Sequence, residues 1–303
     1  MPADSRFCGH AYGLVWRSDL PLVQFANGDD AQTADVLIRR SAALAQREHV
    51  APVRAGALFT DGTRFPWRDQ AIFDMVDGNR VDYLPGPTWT GALPHAFYGT
   101  VVAHLLAWRG LIPMHACAVA IDGRALLIAG AAGAGKSSLT AGLIAAGARL
   151  LSDDLSAIRC DPVDALDPVI LPGRTTIRLD PVVAAWTEGE VLDLPLRETR
   201  GKQVLRLRAR FDAGAYPLAG VIALGLPPGT LAPVARAQFL ARHLFRPAWL
   251  AALPNHPERQ RALLKLADFL PVVGFPGVAR GGHAEHEQRA QDALTLGRSF
   301  TPS

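Results

Sequence analysis

The sequence predicts an α/β fold built on a mixed sheet, and three observations carry that prediction. A short apolar strand runs into a glycine-rich loop and then a helix between Leu126 and Asp154. An Asp122-Gly123 turn sets an antiparallel neighbour immediately before that strand. The stretch ahead of residue 95 or so carries several short strand patterns and few long helical ones.

Residues 1–95 read as a small, mainly β module. Tyr12-Gly13-Leu14-Val15-Trp16, Val36-Leu37-Ile38, Ala57-Leu58-Phe59 and Ala71-Ile72-Phe73 look like strands, with turn signals at Asp61-Gly62 and Asp77-Gly78. Pro85-Gly86-Pro87 joins this module to residues 96–303; alternatively, its strands extend the main sheet. From Leu93 to Arg109 the apolar positions Phe97, Val101, Val102, Leu105 and Leu106 fall at helical spacing. Met114 to Ile121 then reads as a strand, the Asp122-Gly123 turn follows, and Arg124 to Ala129 returns as its hairpin partner. Parallel neighbours need a crossover of a dozen or more residues, so this hairpin demands a mixed sheet. Further strands are expected at Ser156–Cys160, Thr175–Leu179 and Leu218–Leu226, a short helix from Asp180, and helices near 233–245, 257–269 and 284–296.

Composition narrows the classes. At 303 residues and 49% hydrophobic content the chain can bury a sizeable core. A net charge of +3 is too small to argue for nucleic acid as a partner. No apolar run reaches the roughly 18 residues that a membrane span needs, and Asp4 and Arg6 precede no signal-like segment. Cys8, Cys117 and Cys160 are odd in number and in no ligand pattern, as expected of a reducing cytoplasm.

The chemistry concentrates in Gly130-Ala131-Ala132-Gly133-Ala134-Gly135-Lys136-Ser137, a full match to the phosphate-binding pattern G-x-x-x-x-G-K-[ST]. Ala125 to Ile128 supply the entering strand; Leu139, Leu143 and Ile144 supply the helical period after it, and Gly147 stands at the expected C-cap. Glycines there let backbone N–H groups turn around anionic oxygens, and the helix start, with Ser138 in its first turn, adds positive partial charge. Lys136 can reach the β- and γ-phosphates of ATP, and the Ser137 hydroxyl can ligate Mg²⁺.

Asp153 and Asp154 at the next strand end are the second signal, since a Mg²⁺-nucleotide site needs a carboxylate and transfer to a hydroxyl benefits from a base. His115 lies on the strand paired with the loop strand and is a candidate for the same site. The basic stretch 197–210 carries Arg197, Arg200, Lys202, Arg206, Arg208 and Arg210 against the single acid Glu198. It fits a solvated edge strand as well as a phosphate- or acid-binding face. His283 and His286, after Gly281-Gly282, lack a third ligand and read as a solvated loop.

Together, His115, the loop at 130–137 and Asp153-Asp154 resemble the HPr kinase/phosphorylase family, and more closely the HPr-kinase-related serine kinases encoded with peptide-modification genes, lasso-peptide clusters included. The resemblance spans about residues 95–290. It implies a mixed-sheet P-loop kinase domain akin to phosphoenolpyruvate carboxykinase, with the mainly β N-terminal module beside it. It implies Lys136 on the phosphates, Ser137 on Mg²⁺, Asp153 taking the proton of a substrate serine, Asp154 helping to hold metal and His115 close to the acceptor. That family commonly has Ser where Ala132 stands and an Arg-Gly-Leu-Gly segment where this chain has Pro172-Gly173-Arg174, so its kinase half carries over better than HPr as acceptor or the reverse reaction.

The expectation is therefore a cytoplasmic, Mg-ATP-dependent kinase acting on a serine of a peptide or small protein, HPr-like or a precursor peptide. No nucleic-acid or membrane partner is expected, and the family resemblance implies a homo-oligomer. A nucleotide sensor without transfer and a P-loop ATPase are the rival readings.

Overall fold

The computed structural model describes residues 6–29, 31–53, 56–160, 168–194, 201–277 and 282–300. Asp4, Arg197, Glu198, Arg200 and Gly281, singled out above, lie outside those residues. Among the described residues the chain is a mixed α/β structure with two nine-stranded sheets and one three-stranded sheet.

The first sheet is drawn from residues 7–85. Its order is Ala26–Asn27, Phe7–Ala11, Leu14–Ser18, Val36–Arg40, Arg80–Pro85, Ala71–Val76, Gly62–Trp67, Gly56–Phe59 and His49–Val53. Val36–Arg40 runs parallel to both its neighbours, while the remaining pairings are antiparallel. Period-two patterning shows in Leu14–Ser18, where Leu14, Trp16 and Ser18 are buried and Val15 and Arg17 are partly exposed.

Tyr12 and Gly13, read above as strand, instead form the hairpin turn, with φ of 58° and 70°. The reason is tertiary. The Tyr12 amide donates to the Pro172 carbonyl (2.6 Å) and its hydroxyl donates to the Leu155 carbonyl (3.1 Å), so the turn plugs into the second sheet. One continuous core results, joining Trp16, Phe25 and Phe73 to Phe97, Tyr98 and Leu105 and onward to Leu155 and Leu171. Burying each such side chain contributes about 1.5–3 kcal/mol. The segment expected to be helical begins as a π-helical turn, Phe97–Val101, and continues as the α-helix Val102–Trp108.

The second sheet holds the glycine-rich loop. The loop strand Arg124–Gly130 pairs antiparallel with Ala116–Ile121 and parallel with Tyr216–Leu224. Arg149–Ser152 lies on the far side of Ala116–Ile121, and Val272–Phe275 lies parallel to Tyr216–Leu224. Asp122 and Gly123 both have positive φ (48° and 79°), as a tight two-residue hairpin turn requires. Helices Lys136–Ala145 and His283–Ser299 bury the apolar side chains of one face of this sheet, and helices Pro233–Arg242 and His256–Phe269 those of the other.

The three-stranded sheet corrects one expectation. Gln203–Arg206, within the basic stretch, is its central strand between Thr176–Leu179 and Glu190–Leu192, not a solvated edge. Val204 and Leu205 are buried, and Arg206 pairs with Glu190 at 2.9 Å. Lys202, from the same stretch, is exposed. His283 and His286 open the last helix rather than sit in a loop, and their rings pack on Trp186 (4.9 and 5.5 Å).

Candidate active site

The loop residues Ala131 to Gly135 connect the buried strand Arg124–Gly130 to the helix Lys136–Ala145. Gly130 allows no side chain: a Cβ there would stand 2.5 Å from the Leu224 carbonyl oxygen of the neighbouring parallel strand. Gly133 and Gly135 turn through positive φ (82° and 94°), which bends the backbone into the helix start. Ala131, Ala132 and Gly133 are exposed; Ala134, Ser137 and Ser138 are half-buried. Lys136 is 9% exposed, and its ammonium donates to the carbonyls of Gly130 (2.9 Å) and Ala131 (3.3 Å) and to His115 Nε2 (3.4 Å). The flexible stem and three donors of lysine let this cation turn from those carbonyls to another acceptor.

Asp153 and Asp154 follow the strand Arg149–Ser152, and the chain kinks between them to give each a different surrounding. Asp153 is 3% exposed. Its Oδ1 accepts from the Ser137 hydroxyl (2.8 Å) and the Cys117 thiol (3.0 Å), and its Oδ2 accepts from the Arg178 amide (2.9 Å). Burial pushes the Cys117 thiol up, so it stays a protonated donor to this carboxylate.

Asp154 has φ of 67°, a left-handed conformation unusual for a residue other than glycine, and this turn carries its side chain away from Asp153. Around it stand His115 Nδ1 at 3.3 Å, Arg174 at 3.6 Å and His95 at 3.8 Å. Burial alone would raise the Asp154 carboxyl; His95, Arg174 and His115 overcome that and hold it well below the usual carboxylate range. Burial also pushes both His95 and His115 below the ordinary imidazole value, so each is neutral near pH 7. For His115 the partners fix one tautomer: Nδ1–H donates to Asp154, and Nε2 accepts from Lys136.

His115 is not in mid-strand. It sits at the break between Ile112–Met114 and Ala116–Ile121, where the chain changes sheet partner from Ser156–Arg159 to the loop strand. Its amide donates to the His243 carbonyl (2.7 Å), tying that break to the end of the helix Pro233–Arg242.

A cavity of about 540 Å³ opens beside these groups. Asp154, His115, His95, Ala132, Gly99 and Thr100 are among its lining residues; Asp153 is not. The two aspartates therefore stand in different places: Asp153 is bonded to Ser137, and Asp154 faces the cavity. Opposite pointing of neighbouring strand residues foresees two roles but not which residue takes which.

Of the residues singled out from sequence, Gly130 to Ser138, His115, Asp153 and Asp154 come together here, whereas Lys202, His283 and His286 do not line this cavity. His95, Arg174, Arg178 and His243 were missed. Arg174 had been noted only as part of the Pro172-Gly173-Arg174 turn; it is 2% exposed and aimed at Asp154. A buried arginine needs a counter-charge, but sequence spacing does not reveal where it will find one.

No family model and no curated protein matches the chain. Among solved structures, the Hpr(Ser) kinase/phosphatase from Coxiella burnetii aligns over 61% of this chain and 98% of that one, at 16% identity and a TM-score of 0.28. A likeness that loose identifies neither family nor activity.

Proposed function

We propose that this protein is a Mg-ATP-dependent kinase that transfers the γ-phosphoryl group to a hydroxyl, that of a serine on a peptide or small protein. One observation carries the reading. Ser137 bonds Asp153 at the helix start, Lys136 bonds His115, and His115 and Asp154 line one cavity together with Ala132 of the glycine-rich turn.

The residues present fit a magnesium nucleotide. Among the described residues no group of three or more His, Cys, Asp or Glu side chains could cage a metal. Mg²⁺ does not require one, because it is held by one or two oxygen ligands together with substrate phosphates and water. Ser137 and Asp153 are such an oxygen pair at 2.8 Å. Bound there, the ion would supply charge neutralisation on the phosphate oxygens.

In this reading the loop amides and Lys136 hold the phosphates of ATP and counter the charge that builds between them. Asp154 orients the acceptor hydroxyl and takes its proton as the new O–P bond forms and the bond to the β-phosphate oxygen breaks, releasing ADP. A carboxylate held far below the usual range is a weak base. Its contribution is positioning and late acceptance of the proton, which suits a loose phosphoryl transition state. Asp153 positions Ser137, and His115 links Lys136 to Asp154 through its two ring nitrogens.

The test is mass spectrometry of candidate peptides and small proteins incubated with Mg-ATP. A product heavier by about 80 Da, absent with Asp154→Asn although ATP still binds, supports the reading. ATP binding with no acceptor modified in any mixture would move the sensor reading ahead.

A further inference from the structure

The transfer reading leaves unused an excess of basic side chains that line the same cavity. Arg68, Arg178, Arg242 and Arg246 all line it, against only Asp69 and Asp154. Asp154 is already engaged by Arg174 and the two histidines. Among the described residues none of the four arginines has a carboxylate within 4.0 Å. Arg246 is held at the rim by donating from Nε to the Thr100 hydroxyl (3.2 Å), and its backbone takes positive φ (53°). Four arginines on one cavity favour anionic occupants, and the planar fork of each guanidinium matches a carboxylate two donors at a time.

A second cavity, of about 450 Å³, adjoins the first and shares Trp67, Ala96, Thr100 and Arg246 with it. Its remaining walls are chiefly apolar, with Phe65 and Trp249 stacked at 5.3 Å and Phe73, Phe97 and Pro247 around them. The two together reach the upper end of the range for a small-molecule pocket. Their sequence of surfaces is proton acceptor, guanidiniums, apolar recess.

Resting on the kinase reading, we propose that the acceptor is an acidic peptide segment. Its serine hydroxyl lies at Asp154, carboxylate side chains of its neighbours lie on Arg178, Arg242 and Arg246, and a bulky apolar side chain a few residues away enters the recess beside Trp249. The charge pattern excludes a basic acceptor and disfavours a neutral one, since neither offsets the excess of arginine over aspartate along the cavity.

The experiment is a panel of short single-serine peptides whose flanks are acidic, amide or basic, each with and without one Phe. Binding is read by fluorescence anisotropy without nucleotide, and transfer from Mg-ATP by mass spectrometry. Acidic peptides should bind and accept phosphate about tenfold or more better than their amide counterparts, with the advantage shrinking as salt rises. Arg242→Gln with Arg246→Gln, both at exposed positions, should erase the charge preference, with an unchanged melting temperature as the check on folding. Ala248→Trp, which fills the recess, should erase the Phe preference alone.

Equal handling of amide and acidic peptides overturns the inference while leaving the kinase reading standing. So does a double variant that loses affinity for ATP rather than for peptide, which would assign the arginines to the nucleotide. Selective binding of acidic peptides with no transfer sinks the kinase reading and leaves an acidic-peptide site.

Discussion

Replacing Asp154 with Asn tests the site's chemistry and its architecture together. The carboxylate faces Arg174, which is 2% exposed and also meets Gln24 at 3.4 Å and the Tyr12 hydroxyl. Removing one partner of a buried ion pair costs about 3–5 kcal/mol when both are fully enclosed. Asp154 keeps 19% exposure and the gap is 3.6 Å, so a loss of about 2 kcal/mol is expected, or roughly 3 °C in melting temperature for a chain of this size. The pH dependence has a definite sign. A carboxyl held below its unfolded value stabilises the fold above that value, and the stabilisation fades as pH falls toward the depressed folded one. The difference between wild type and variant should therefore be full at pH 7 and narrow below pH ~4. Urea unfolding between pH 7 and 3 measures it. Adding Arg174→Met should recover most of the lost stability, because no orphaned buried cation then remains, yet phosphoryl transfer should stay absent. A stability gap that widens toward acid would refute the pairing, and transfer by Asp154→Asn at the wild-type rate would refute the proton-acceptor role.

Asp153→Asn should abolish transfer and raise the magnesium concentration needed for tight ATP binding, measured by calorimetry at stepped Mg²⁺. Lys136→Ala should weaken ATP binding by about tenfold or more while leaving the melting temperature within a few degrees, since its ammonium meets only loop carbonyls and His115. Gly130→Ala should destabilise by about 1–3 kcal/mol in denaturant unfolding, because its methyl would meet the Leu224 carbonyl at 2.5 Å and force the loop strand off its parallel neighbour. His104 is 1% exposed between Phe65 and Trp249, and burial lowers its value to about 3. As pH drops from about 6.5 toward 3 the unfolded chain gains the proton first, so His104 should contribute about 1.4 kcal/mol of lost stability per pH unit, and His104→Gln should flatten that slope.

What could be read along the chain was whatever depends on neighbours in sequence. The strand, the glycine-rich turn and the helix at 125–147 follow from local apolar spacing and from glycine's freedom at Gly133 and Gly135. The Asp122-Gly123 hairpin, and with it the mixed sheet, follows from turn chemistry. The helices after residue 233 follow from their 3.6-residue period. The candidacy of Lys136, Ser137, Asp153, Asp154 and His115 came the same way, because a match to the phosphate-loop pattern narrows which acids and bases to consider.

What only the folded chain decided was which charges meet. Arg174 and His95 reach Asp154 across about 20 and 59 residues of sequence, through a turn and a loop brought together by packing and not by any repeat. The different surroundings of Asp153 and Asp154 follow a turn in which Asp154 takes positive φ, which no spacing rule encodes. The turn at Tyr12-Gly13 became a plug, not a strand, because Pro172 and Leu155 offered its donors buried carbonyls. The four arginines of the cavity come from three distant segments, and only the tertiary structure brings them to line one cavity. Periodicity reports which face of an element is buried, whereas electrostatic partners are set by where those faces finally stack.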